Sequence, residues 1–238
     1  MSEGQGSEVE LGSEVGQGSA GHGSEVAAAN LLTIRGCPYT VSVLKEGYSY
    51  QDECGRSRAD GTVTLVRGPL VVLVDTGAPG DEEEIVRALG GQGLRPRDVQ
   101  WVVCTHGHSD HAGNLGLFPH ATFVVSHDIS RHDLYLSHDF SSGAPYRLDE
   151  WLEVVGTAGH CGRDVSLLVR GTTLGTVAVV GDLFEREDDQ DSWPQLSENP
   201  EVQAVSRKRV WALADVIVPG HGPPFMVNRS QGPDPCSH

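Results

Sequence analysis

Three imidazoles and one carboxylate fall within the run His106-Gly107-His108-Ser109-Asp110-His111, directly after the apolar stretch Trp101-Val102-Val103-Cys104. Imidazole nitrogen and carboxylate oxygen together suit Zn²⁺ or a similar transition metal. Three single candidates follow, each at the end of an apolar run. His160 comes after Leu152–Thr157, Asp182 after Val177–Gly181, and His221 after Val216–Gly220. A lone histidine or aspartate in a loop is ordinarily just solvated. Here each stands beside a glycine at the end of a strand-like run, and ligands so placed can converge on one edge of a sheet. The pattern predicts a two-metal hydrolase site. His22, His120, His127, His132, His138 and His238 read as surface or hydrogen-bonded residues, with His127 beside Asp128 a weak candidate for the site's rim.

Short strands must carry these ligands. Runs of β-type residues span Tyr39–Leu44, Thr62–Val66 and Leu70–Val74, the last running into Asp75-Thr76-Gly77. Asp81–Leu89 predicts a helix with acids in its first turn and Gly90-Gly91 as its stop. Further strands are expected at 101–104, 121–125, 152–157, 165–169, 175–180 and 216–218. A second helix opens at Asn199-Pro200 and runs to about Ala214, with Val202, Ala204, Val205 and Leu213 expected toward the core. Arg207-Lys208-Arg209 is then expected on its solvated face. Many strands with one helix early and one late suggest two sheets sandwiched between helices.

The chain's 238 residues suffice for one good-sized core. Residues 1–29 are rich in Gly, Ser and Glu and repeat Gly-Ser-Glu-Val at 6–9, 12–15 and 23–26, a composition expected to stay disordered. The hydrolase domain is expected over 30–228, followed by a flexible C-terminus at 229–238. The formal net charge is −16, and the N-terminal segment contributes only five glutamates to it, so the remainder is acidic too. That excludes the basic footprint of a general nucleic-acid binder. It leaves room for a nuclease whose metals supply the positive charge where a phosphate sits. No secretory signal or membrane-length apolar run is visible, and five scattered cysteines are expected in a reduced, cytoplasmic setting.

His-x-His-x-Asp-His followed by a lone His, Asp and His resembles the metallo-β-lactamase superfamily, and Val74-Asp75-Thr76-Gly77 resembles that superfamily's first motif. The resemblance covers about residues 39–227. It implies an α/β (α+β) fold, a four-layer αβ/βα sandwich. It also implies two Zn²⁺ ions, with iron and manganese as alternatives. His106, His108 and His160 would hold the first metal. Asp110, His111 and His221 would hold the second, with Asp182 as the bridge. Asp75 would support the ligand loop from behind, and Asp110 would also be catalytic, orienting a metal-bound hydroxide for attack. Ala158, where proline usually precedes the Gly-His pair, and Cys161 depart from the pattern without removing a ligand.

Thr105–Phe118, Gly181–Arg186, Asp191-Ser192-Trp193 and Ser206–Phe225 resemble one branch of the superfamily in stretches partly outside the ligand set. That resemblance implies an endoribonuclease cleaving the 3′ end of histone pre-mRNA, which adds the nucleus to the cytoplasm as a compartment. The alternative is a glyoxalase II-like thioester or small-ester hydrolase, or an iron-dependent sulfur oxygenase using His106, His160 and Asp182. A binding protein with a degenerate site is disfavoured because all seven ligands are intact. With gaps of 22 residues from His160 to Asp182 and 39 to His221, and 17 residues beyond, neither an inserted nuclease domain nor a helical glutathione-gripping domain is expected. A homodimer that completes the pocket is compatible with so bare a module. The polar loops 77–80, 128–147 and 185–196 are the expected substrate contacts. Trp193 is a candidate either for the substrate rim, stacking on a base, or for packing on the core.

Overall fold

Alternate residues of a strand point to opposite faces, and here both faces are apolar. In a computed structural model of the chain, which describes residues 32–230, this two-sided pattern builds two sheets packed face to face with a helix on the outside of each. The expected tail 1–29 and most of the expected C-terminal segment lie outside the described residues. Arg229, assigned by sequence to that segment, donates to the Ala214 carbonyl and to Asp215.

The first sheet contains β1 (Thr33–Ile34), β2 (Thr40–Lys45), β5 (Val63–Arg67), β6 (Val71–Val74), β7 (Trp101–Cys104), β8 (Thr122–Val125), β9 (Asp128–Arg131) and β10 (Leu134–Leu136), in that order. A separate hairpin, β3 (Tyr48–Gln51) with β4 (Ser57–Asp60), branches from it between β2 and β5. The second sheet runs β11 (Tyr146–Arg147), β12 (Leu152–Gly156), β13 (Val165–Thr172), β14 (Gly175–Gly181), β15 (Val216–Pro219) and β16 (Phe225–Met226). Most pairings are antiparallel. β6–β7, β7–β8 and β14–β15 are parallel, and a parallel pair needs a crossover. Helix α1 (Glu82–Gly91) links β6 to β7, and helix α2 (Pro200–Leu213) lies between β14 and β15.

Between the sheets pack Val72, Val74 and Val103 of the first with Val177, Val179, Val216 and Val218 of the second. The intervening residues face outward. Leu73, Val102 and Cys104 meet Ile85 and Leu89 of α1, while Ala178, Val180 and Ile217 meet Val210 and Ala214. This is the four-layer αβ/βα sandwich.

Two expectations fail at α2. Val202, Val205 and Leu213 are exposed, Val205 to 69%. The buried side chains are Gln203, Arg207 and Val210. Arg207, expected in solvent, is fully buried. Its guanidinium pairs with both oxygens of Asp189 at 2.7 and 2.9 Å, donates to the Leu183 carbonyl, and lies over the Phe184 ring. Polar side chains face inward here because they bond the loop backbone after β14, which an apolar face could not do.

Candidate metal centre

Parallel pairing sets the site. β6, β7, β14 and β15 all finish at one edge, as does β12, since it is antiparallel to β13 and β13 to β14. The residues just past those ends are Asp75, His106–His111, Asp182, His221 and His160, and the structure brings all of them together. His106 Nε2 lies 2.9 Å from His108 Nδ1, and His160 Nε2 lies 3.2 Å from that same Nδ1. Asp182 Oδ2 faces this triad, 3.6 Å from His106 Nε2 and 3.2 Å from His160 Nε2. Its Oδ1 lies 3.0 Å from His111 Nε2, and His221 Nε2 stands 3.3 Å from each of the two carboxylate oxygens. Asp110 Oδ2 closes the second group at 3.9 Å from His111 and 3.8 Å from His221, and is the more open carboxylate, with 19% of its side chain exposed.

The close approaches depend on glycine. A Cβ at Gly220 would stand 2.0 Å from Asp182 Oδ1, and Gly181 has φ +54° with Thr105 Oγ1 where its Cβ would be. Neither position tolerates a side chain.

Hydrogen bonds behind the rings aim them. Asp75 accepts from the Thr105 amide (2.7 Å), the Thr105 hydroxyl (3.0 Å) and His111 Nδ1 (2.8 Å). That hydroxyl in turn lies 3.1 Å from His106 Nδ1, and His221 Nδ1 donates to the Asp60 carbonyl at 3.0 Å. With Nδ1 carrying the proton in each case, Nε2 presents its lone pair to the centre, the arrangement that second-sphere acceptors impose on metal-binding histidines. Asp75 thus holds the ligand loop from behind. Asp75→Asn should lower metal affinity about 10–100-fold, checked by competition with a chromophoric zinc chelator. An unchanged affinity would remove this role.

The donor set fits a cation. His111 Nε2 and Asp182 Oδ1 are both buried and make no hydrogen bond despite their proximity. Burial pushes His106 well below the ordinary imidazole range and lowers His160 too, favouring the neutral form that binds metal. At His111 burial is outweighed by Asp182 and Asp75, which hold it well above that range, so a metal there displaces a proton. The neighbouring His111 and His106 hold Asp182 well below the carboxylate range, against burial. The clusters suit a divalent metal such as zinc.

The sequence missed Glu185, buried with Oε1 3.9 Å from His160 Nδ1 and Oε2 3.8 Å from His221 Nε2. An acid placed directly after Leu183-Phe184 was the available signal. It also missed Asp164, whose Oδ2 accepts from the amides of Gly159 and Cys161 and so fixes the His160 turn. Trp193 is 5% exposed and has the Arg207 guanidinium over its ring at 4.7 Å. It packs on the core and does not form the rim, because the buried Arg207–Asp189 pair needs a cover.

Burial pushes Glu185 up to about 8 and Asp164 up to about 7, while His221 rises to about 9 because Asp182 outweighs its burial. All three bind their proton more tightly folded than unfolded. The resulting stabilisation is full at low pH and is lost as pH rises, between about 4 and 7 for Asp164, 4.5 and 8 for Glu185, and 6.5 and 9 for His221. The metal-free chain should therefore unfold at lower urea concentration at pH 9 than at pH 6. Equal or higher midpoints at pH 9 would contradict these assignments.

The profile described as the metallo-beta-lactamase superfamily matches residues 58–221. The chain is 57% identical over 196 residues to metallo-beta-lactamase domain-containing protein 1 of Xenopus laevis, covering 82% of this chain and 84% of that one. It is 50% identical over 234 residues to the Homo sapiens protein of the same name, covering 86% and 88%. Among solved structures, an N-acyl homoserine lactone hydrolase with its product bound at the catalytic metal centre superposes with a TM-score of 0.57 at 17% identity, over 79% of this chain and 94% of that one. Among the described residues, no helix is long and apolar enough to cross a membrane. The chain belongs to the metallo-β-lactamase superfamily and is a metallo-hydrolase of that family.

Proposed function

We propose that this hydrolase is a dinuclear zinc endoribonuclease acting at the 3′ end of histone pre-mRNA. The observation that carries the dinuclear part is the central placement of Asp182, with Oδ2 toward His106 and His160, Oδ1 toward His111, and His221 within 3.3 Å of both oxygens. His106 Nε2, His108 Nδ1 and His160 Nε2 would hold one ion. Asp110, His111 Nε2 and His221 Nε2 would hold the other, with Asp182 between the two groups. When bound, such a pair supplies a water acidified toward neutrality and a Lewis acid for the phosphoryl oxygen.

The chain's own groups do the positioning. Asp110, the more open of the two central carboxylates, would accept a hydrogen bond from the attacking water through the carboxylate oxygen not used for the metal. Asp75, Thr105 and Asp60 hold the imidazole tautomers, so no ring reorients as charge develops. Support for RNA as the substrate comes from the sequence strings outside the ligand set, whose resemblance is to the branch that processes histone transcripts.

A second reading is a thioester or small-ester hydrolase, favoured by the net charge of −16, which repels a polyanion. Zinc-reconstituted protein should cleave a single-stranded RNA carrying a histone 3′-processing site, and Asp110→Ala should not. No cleavage by protein holding two metals would overturn the ribonuclease reading in favour of the ester hydrolase.

A further inference from the structure

The hairpin β3–β4 stands over the metal edge and is fastened to it. Thr62 Oγ1 accepts from the Gly47 amide at 3.0 Å and donates to the Gly220 carbonyl at 2.9 Å, tying the start of the hairpin to the residue before His221. Gly47 packs so closely that a Cβ would lie 2.4 Å from that carbonyl. On the far side, Arg186 Nη1 donates to the Ser49 carbonyl at 3.2 Å, joining the hairpin to the loop after Asp182. The space enclosed is a cleft of about 620 Å³ that reaches His221.

Two aromatic side chains form its wall. Tyr48 and Tyr50 are two apart in β3 and so share a face. Their rings lie 5.7 Å apart and are 46% and 57% exposed. The pair presents an open aromatic surface on a backbone tied down on both sides. The Arg186 guanidinium borders the same cleft with five N–H donors, of which Nε is directed to Asp188 and Nη1 to Ser49. Beyond it the rim turns acidic, with Glu46, Glu187 and Asp188 all exposed.

We infer that this cleft is a one-nucleotide subsite. A single nucleobase lies on the Tyr48/Tyr50 wall, its phosphate meets Arg186, and the next phosphate reaches the metal edge beside His221. The inference rests on the ribonuclease reading and narrows it. Stacking on tyrosine is tolerant of base identity because every base has a π face. The acidic rim repels further backbone, so recognition ends after about one nucleotide step and does not follow a run of phosphates. Planar aromatic surface with one adjacent cation suits a nucleotide and has no counterpart in an aliphatic acyl ester.

The test compares zinc-loaded wild type with Tyr50→Ala on three substrates: a 5′-phosphorylated dinucleotide, which carries both phosphates, the same molecule with an abasic residue on its 5′ side, and a ten-residue RNA. Wild type should favour the dinucleotide over the abasic diester by about 10-fold or more in kcat/KM, a stacking-sized preference. Tyr50→Ala should bring that ratio close to one. The ten-residue RNA should gain less than about threefold over the dinucleotide. The slope of log kcat/KM on log salt should stay near −1 to −1.5, as two phosphate contacts require.

An equal rate on the abasic diester, a ratio unchanged in Tyr50→Ala, or a slope steeper than about −4 overturns the subsite while leaving the ribonuclease reading in place. If two-metal protein cleaves no phosphodiester, that reading fails and calorimetry with uridine 5′-monophosphate decides the subsite separately. Binding weakened about 10-fold by Tyr50→Ala supports it, and no binding by wild type overturns it.

Discussion

Replacing Asp182 with alanine should remove about one of two bound metal equivalents and slow hydrolysis by at least about a hundredfold. Asp182 is buried, and its two oxygens lie 3.0–3.6 Å from the rings of His106, His111, His160 and His221. Two dications can approach each other only across an anion, and without the carboxylate they repel. The lost rate corresponds to the several kcal/mol that a polarising metal contributes to a hydrolytic barrier. Metal analysis of the purified variant by mass spectrometry, alongside turnover, checks both parts. Full occupancy with normal turnover would remove the bridge from the account. Asp182→Glu would separate charge from reach, because it restores the anion but pushes it into the space that Gly220 keeps open.

The second large effect lies away from the chemistry. Arg207→Met should destabilise the protein by about 3–5 kcal/mol, the usual cost of removing one partner from a buried ion pair. Asp189 is itself fully buried, and its Oδ2 also accepts from the Glu185 amide at 2.8 Å. Losing Arg207 leaves an uncompensated carboxylate and removes one of the two side-chain donors to the Leu183 carbonyl, both within the loop that carries Asp182. Pairing the change with Asp189→Leu should recover most of the loss, since no unmatched charge then remains inside. Urea denaturation of the single and double variants measures this. A single-variant loss below about 1 kcal/mol would mean that the pair is not the brace of that loop. The neighbouring Gln203, which donates to the Asp182 and Leu183 carbonyls, adds a second tie from the same helix.

These two residues illustrate what a sequence discloses and what it hides. Asp182 and the other six candidate ligands stand out because each comes after a mainly apolar strand whose residues are buried on both faces. A polar group at the end of such a run must sit at the sheet's edge. The sandwich itself was equally legible, since Val72, Leu73 and Val74 serve inner and outer layers in turn. Arg207 was not. Its helix carries Val202 and Val205, which periodicity alone would turn inward, but what the helix covers is loop backbone with carbonyls to satisfy, so Gln203 and Arg207 took the buried positions. Hydrophobic patterning registers apolar contacts and has no sensitivity to a buried face that works by hydrogen bonding. The hairpin β3–β4 was hidden for a related reason. Tyr-Ser-Tyr-Gln and Ser-Arg-Ala-Asp are mostly exposed, with no core face to impose a period. Glu185 had only its place directly after Leu183-Phe184 to mark it, and its position between two histidines in space gives it meaning.

Asp75 shows the intermediate case. The Asp-Thr-Gly turn marked it as a support for the ligand loop, and the structure supplies the means, three donors on one buried carboxylate. The Thr105 hydroxyl between Asp75 and His106 could not be read from the sequence, because it depends on β6 and β7 lying side by side in register.

The most direct test of the central claim is the metal stoichiometry of the full chain. Metal-free protein titrated with Zn²⁺ and followed by calorimetry should take up two equivalents. Asp182→Ala, His111→Ala and His221→Ala should each retain only the equivalent held by His106, His108 and His160. A single equivalent in the wild type, or two in those variants, would contradict a dinuclear centre built on Asp182.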